Sequence, residues 1–103
     1  VVTIALAAVP ALGAPDGFLL VRDADMFVLN DASDGYLAFS SVCPHESCDV
    51  SSYAQGRIRC PCHGSAFDKT GVAREGPAVG LAPLRRYTTR LDAATRTLTV
   101  MKG

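Results

Sequence analysis

Hydrophobic and polar positions alternate along this chain in short stretches cut by turn residues. Val2, Ile4 and Leu6 fall on one face of a first stretch and Thr3, Ala5 and Ala7 on the other, which predicts a strand. "GFLLVRD" (17–23) and "MFVLN" (26–30) flank Ala24-Asp25 and read as a hairpin. After the turn cluster "NDASDG" (30–35), "YLAFSSV" (36–42) alternates again. Shorter strands are expected at "RIRC" (57–60) and "SAFD" (65–68), ahead of the turn "KTG". Near the end, "LRRYTTRL" (84–91) and "TLTVM" (97–101) bracket "DAATR". No apolar period of 3.6 residues holds for three turns. The pattern predicts an antiparallel all-β sandwich or barrel, one domain over residues 1–103, with no repeat and no linker.

Composition agrees with a folded domain: 103 residues, 49% hydrophobic and 19% charged, can build a core. Ten basic residues balance ten acidic ones, and no basic run exceeds Arg85-Arg86, which argues against nucleic acid as a partner. The opening "VVTIALAAVPAL" is apolar, but Pro10 interrupts it and it lacks the positive residues of a signal peptide. It is also too short to cross a bilayer. A start at Val1 rather than methionine leads to the expectation of a mature or trimmed form. Any signal or membrane anchor is then expected upstream of it.

The chemistry is concentrated in two hexapeptides. "CPHESC" (43–48) and "CPCHGS" (60–65) hold all four cysteines and both histidines. His45 follows Cys43 by two residues and His63 follows Cys60 by three, so each loop offers one thiolate and one imidazole. A structural Cys₂His₂ zinc site uses four of these residues but leaves Cys48 and Cys62 idle. Haem attachment fails, because "CPCH" has one residue between its cysteines rather than two. A [2Fe–2S] centre in which two histidines replace two cysteines on one iron finds a use for all six.

"CPHESC…CPCHGS" resembles the Rieske iron–sulfur family, with C-x-H in one loop and C-x-x-H in the next. The second cysteine of each loop resembles the subgroup whose cluster loops are joined by a disulfide. "GPAVGLAPLRRY" (76–87) resembles the Gly-Pro-Ala segment of cytochrome bc and b6f Rieske subunits. The likeness covers roughly residues 36–90. It implies a small cluster-binding subdomain at about 41–69, formed by two loops inserted in a β base, with one [2Fe–2S] cluster. Cys43 and Cys60 would bind the inner iron, His45 and His63 the outer one, and Cys48 and Cys62 would form the disulfide. Gly76, Pro77 and Ala78 would cover the cluster from a third side.

The resemblance also implies which residues tune the potential. Ser65, after Gly64, would donate its hydroxyl to a bridging sulfide and stabilise the reduced cluster. Phe67 stands where high-potential members have a tyrosine that donates to a ligand cysteine, and it cannot donate. The family's quinol-oxidising members have an aliphatic residue and a glycine after the first histidine. This chain has Glu46 and Ser47, and a carboxylate there resists burial in an apolar quinol pocket.

With two thiolates and two neutral imidazoles the oxidised core is formally uncharged, so it accepts an electron more readily than an all-cysteine cluster. The expected function is that of an electron carrier, not a catalyst alone. The implied setting is the Rieske subunit or module of an exported respiratory complex, of bc type with a quinol site shared with a partner, or arsenite-oxidase-like. Its partners would be a cytochrome or a larger oxidoreductase subunit. The alternative is a soluble ferredoxin that feeds an oxygenase. Ferredoxins of that kind usually lack the extra cysteine pair, and a cytosolic setting does not favour a disulfide. A zinc-bound interaction module is the remaining alternative.

Overall fold

The computed structural model describes residues 2–43, 48–62 and 64–102. Ten strands form two antiparallel sheets: β1 (Val2–Ala5), β2 (Phe18–Val21), β3 (Met26–Asp31), β4 (Gly35–Ser40), β5 (Ser52–Ala54), β6 (Arg57–Arg59), β7 (Ala66–Phe67), β8 (Ala73–Glu75), β9 (Arg86–Asp92) and β10 (Thr97–Met101). The larger sheet runs β1-β10-β9-β4-β3-β2 and the smaller β5-β6-β7-β8. Short 3₁₀ turns are the only helical elements among the described residues, and none of them is long and apolar enough to cross a membrane.

The run "MFVL" in β3 is apolar on both faces because both faces are covered. Met26, Phe27, Val28 and Leu29 are all fully buried. With a side-chain period of two, Phe27 and Leu29 join Leu37 and Phe39 of β4 in a core shared with Tyr53, Ile58 and Phe67 of the small sheet. Met26 and Val28 face the other way and pack with Ala38, Ile4, Leu98 and Val100. The large sheet is thus sandwiched between two apolar layers.

Three features depart from the pattern in the sequence. The first strand ends at Ala5, where the Leu6 amide bonds to the Arg96 carbonyl (3.0 Å) and the chain turns. Leu6 is buried as expected, but the following Pro10–Gly13 turn also inserts Leu12 into the core. Its carbonyl accepts from Asn30 Nδ2 and from the Tyr36 hydroxyl, each at 2.9 Å. The connection from β2 to β3 takes in Arg22–Asp25, with Asp25 in the left-handed region. Finally, β5 and β8 have no clear strand signal. The marker for β5 is Gln55-Gly56, whose φ values of 53° and 75° give the doubly left-handed turn that suits its two-residue hairpin with β6.

A polar hub ties the two sheets together. Asp31, at the end of β3, accepts from the amides of Ser33 and Asp34, from the Tyr53 hydroxyl of β5 (3.1 Å) and from Lys69 (3.3 Å). The Asp34 amide leads the groups that hold Asp31 below the usual carboxylate range. Burial and the bond to Asp31 push Tyr53 up to about 12. Folded protein therefore keeps the Tyr53 proton where unfolded chain has lost it. That contribution to stability is complete below pH 10 and is lost as the pH rises through about 12. Urea midpoints measured from pH 9 to 12 should fall for the natural chain and fall less for Tyr53→Phe. At neutral pH the variant should be weaker by about 1 kcal/mol, one hydrogen bond.

Candidate metal centre

The two hexapeptides are closed at their ends in the same way. Cys43 lies beyond the end of β4, and its amide bonds to the Cys48 carbonyl at 3.0 Å. Cys60 follows β6, and its amide bonds to the Ser65 carbonyl at 2.9 Å, just ahead of β7. In each case the first residue of the hexapeptide donates to the sixth. The necks are ordered by neighbours that the sequence alone did not single out. Ser41, fully buried, donates to Asp49 Oδ1 at 2.7 Å, and its carbonyl accepts from the Val50 amide at 2.8 Å. Val42 and Asp49 form an isolated bridge between those contacts and Cys43. The second neck is the β6–β7 pairing itself, with Arg59 opposite Ala66.

The four cysteines divide by environment. Cys43 and Cys60 are buried, 2% and 3% exposed, and neither is in a disulfide. Cys48 and Cys62 are joined in a disulfide with their Cα atoms 6.4 Å apart, which links the first loop to the second. His45, Glu46 and Ser47 of the first loop and His63 of the second lie outside the described residues.

A third segment closes against the second loop. Ser65 is 1% exposed, and its Oγ accepts the Ala78 amide at 3.3 Å. That contact leaves the hydroxyl proton as the donor Ser65 still has to offer. Ala78 is fully buried, while Pro77 is exposed. Gly76 makes the approach feasible: its φ is +81°, and a Cβ there would lie 2.7 Å from Ser65 Cα and 2.9 Å from the Gly64 carbonyl oxygen. Gly76→Ala should therefore lose roughly 1–3 kcal/mol, from left-handed strain together with backbone overlap. Comparison of thermal midpoints would show it. Gly64 is also left-handed, at φ +74°, but a side chain there would meet nothing. Phe67 is fully buried in β7 and lies in the same core as Cys43 and Cys60.

The Asp68–Gly71 turn beyond β7 is held by a second carboxylate. Burial works to raise the Asp68 pKa, but bonds from the Thr70 hydroxyl, from Arg74 Nε (2.8 Å) and from the Thr70 and Val72 amides outweigh it and bring it to about 2. Unfolded chain binds that proton first as the pH falls. Stability from Asp68 is full above about pH 4 and is lost toward pH 2.

This donor set fits a mixed-ligand iron–sulfur cluster. Two buried thiols sit on two matched loops, each loop carries one histidine in sequence, and a buried hydroxyl has a proton to donate beside them. The disulfide accounts for the two cysteines that a zinc site would leave over.

Comparisons with known proteins agree. The Rieske [2Fe-2S] domain family matches residues 6–88. Among curated relatives, the cytochrome b6-f complex iron-sulfur subunit 2 of the Cyanophora paradoxa cyanelle is 38% identical over 63 residues, 57% of this chain and 25% of that protein. The chain spans a quarter or less of the length of the first curated relatives it matches. Among solved structures, a cyanobacterial plasma membrane Rieske protein from Synechocystis PCC 6803 is 27% identical. It superposes with a TM-score of 0.72 over 98% of this chain and 99% of that one. The ferredoxin of carbazole 1,9a-dioxygenase from Nocardioides aromaticivorans IC177 is 26% identical, with a TM-score of 0.70 over 90% and 93% of the two chains.

Proposed function

The chain belongs to the Rieske [2Fe-2S] family, and from that premise we propose that it serves as the Rieske subunit or domain of an exported respiratory electron-transfer complex. The family's cofactor is a [2Fe–2S] cluster, which supplies reversible one-electron transfer when bound. Cys43 and Cys60 would hold one iron and His45 and His63 the other. Both ligand thiols are buried, and the disulfide and the Ser65–Ala78 bond hold three segments around the site. The cluster-binding part would be residues 41–69, within a single domain over 1–103.

The observation that carries the respiratory reading is the disulfide between the two loops. Disulfides persist in oxidising compartments and are rare in the cytosol, which favours an exported domain. Similarity to the cytochrome b6-f subunit and to the plasma membrane Rieske protein supports the same direction. Both bc-type quinol oxidation and an arsenite-oxidase-like role fit this class, and Glu46 weighs against the quinol pocket. Similarity to the dioxygenase ferredoxin along most of the chain supports the second reading, a ferredoxin feeding an oxygenase.

The reduction potential separates these readings. Rieske centres span about −150 to +300 mV, set by charge, hydrogen bonds to sulfur and exposure. With Ser65 and the disulfide the potential should lie in the upper part of that range, and without a hydroxyl at Phe67 it should stay below the top. Voltammetry that found a potential near the bottom of the range would favour the ferredoxin. Phe67→Tyr should raise the potential, since a net hydrogen bond of roughly 1 kcal/mol corresponds to about 40 mV for one electron. Unchanged voltammetry with the new hydroxyl in reach of a ligand sulfur would contradict the hydrogen-bond account.

A further inference from the structure

The cations of this neutral chain are distributed unevenly in their pairing. Arg22, Arg57, Lys69 and Arg74 each sit within 4 Å of a carboxylate. Arg59, Arg85, Arg86, Arg90, Arg96 and Lys102 make no ion pair among the described residues; five of these six lie beyond residue 76, where Asp92 is the only acid. Arg85, Arg86 and Arg90 are on or beside β9, Arg96 ends the turn that follows it, and Lys102 lies over the Tyr87 ring at 5.6 Å.

Immediately before this basic strand, residues 76–84 carry no charged or polar side chain. They are not folded inward as such a composition would lead one to expect. Ala78 and Leu84 are buried, but Val79 is 54% and Leu81 47% exposed, and Pro77 and Pro83 are exposed as well. Backbone bonds fix the segment: Val79 to Gly76, Leu81 to Ala78 and Leu84 to Gly71. It touches the candidate metal centre through the Ala78–Ser65 bond, and its far end reaches the first loop's strand, where the Ser40 amide bonds to the Arg85 carbonyl at 2.8 Å. Arg86 then opens a concavity of about 410 Å³ lined by Tyr87, Thr88 and Thr89. An apolar centre with a polar, charged rim is the anatomy of a transient protein interface.

We propose that residues 76–86 form the docking surface for an electron-transfer protein whose contact face is an apolar patch edged with carboxylates. Val79 and Leu81 supply the apolar contact. Arg85 and Arg86 steer the partner and fix its orientation, with the Arg86 concavity receiving a carboxylate. Docked there, the partner meets the segment bonded to Ser65, and one electron passes from the reduced protein to the partner's oxidised metal. This inference rests on the electron-carrier reading. It adds the charge and polarity of the partner.

The test uses full-length, cluster-loaded, reduced protein mixed with either of two oxidised probes: an acidic cupric blue-copper protein or a basic ferric c-type cytochrome. The natural chain should react faster with the acidic probe, and that rate should fall with salt. Arg85→Glu/Arg86→Glu should slow the acidic probe by about tenfold or more at low salt and reverse its salt dependence, the scale of electrostatic steering. The same variant should speed the basic probe. Val79→Ser/Leu81→Ser should weaken calorimetric binding of the acidic probe while leaving the salt dependence of its rate in place. Cluster content and potential should be unchanged in all variants. If both double variants keep the natural rates and binding at natural cluster content, the docking surface is overturned. If the natural chain assembles no cluster, the electron-carrier reading falls instead.

Discussion

Replacing His63 with alanine should leave a chain that folds, forms its disulfide and holds no [2Fe–2S] cluster. The proposed outer iron has two protein ligands, His45 and His63, and losing either leaves it with one imidazole and an open position to water. Hydrolysis of so exposed an iron should prevent assembly rather than lower the potential. The fold should survive because the loop is closed by its own backbone, through the Cys60 amide and the Ser65 carbonyl. The disulfide to Cys48 gives it a second attachment. His45→Ala should behave in the same way, its loop being closed by the Cys43 amide and the Cys48 carbonyl. After anaerobic reconstitution, iron and sulfide per chain should drop to background in both variants, with urea midpoints of the cluster-free proteins close to that of the natural chain. Full iron and sulfide in either variant would remove that histidine from the ligand set.

The second large effect belongs to the disulfide. Cys48 and Cys62 are separated by 14 positions, and closing a loop of that size is worth about 3 kcal/mol in the chain-entropy model. Such a contribution is a large share of the 5–15 kcal/mol that ordinarily separates folded from unfolded domains. Here the bond also joins the two loops to each other directly. Cys48→Ser/Cys62→Ser should lower the unfolding free energy by about 3 kcal/mol and still take up some cluster, with faster loss of iron as the sign of a looser site. Equilibrium urea unfolding of the cluster-free chains reads the first effect, and the rate of iron release to a chelator reads the second. An unchanged urea midpoint would mean that the loops are held by the backbone closures and the Ser65–Ala78 contact alone.

How far this molecule could be read from its sequence depended on where the physical signal was local. The larger sheet was legible because its strands either alternate, as "TLTVM" does, or run apolar, as "MFVL" does, and because turn clusters separate them. β5 and β8 were not, since each is three residues long and their apolar partners lie across the sheet rather than along the chain. Tyr53 opposite Ile58, and Ala73 opposite Phe67, become a pattern only once the strands are paired. Gln55-Gly56 was the available clue, weaker than Asn-Gly because glutamine seldom adopts a left-handed conformation.

The candidate site was more legible than the fold, because its ligand types are rare and clustered. Position in sequence could not show that Cys43 and Cys60 are buried while Cys62 is exposed, nor that Ser41 and Asp49 clasp the first neck. Those facts depend on contacts across the fold. The same holds for Gly76, whose need for glycine comes from Ser65, eleven residues away.

Metal and sulfide analysis of the purified natural chain tests the central claim most directly. A Rieske centre held by Cys43, His45, Cys60 and His63 requires two irons and two acid-labile sulfides per chain in a red-brown protein. A colourless protein that holds one zinc per chain and no sulfide, and that stays so after anaerobic reconstitution with iron and sulfide, would contradict it.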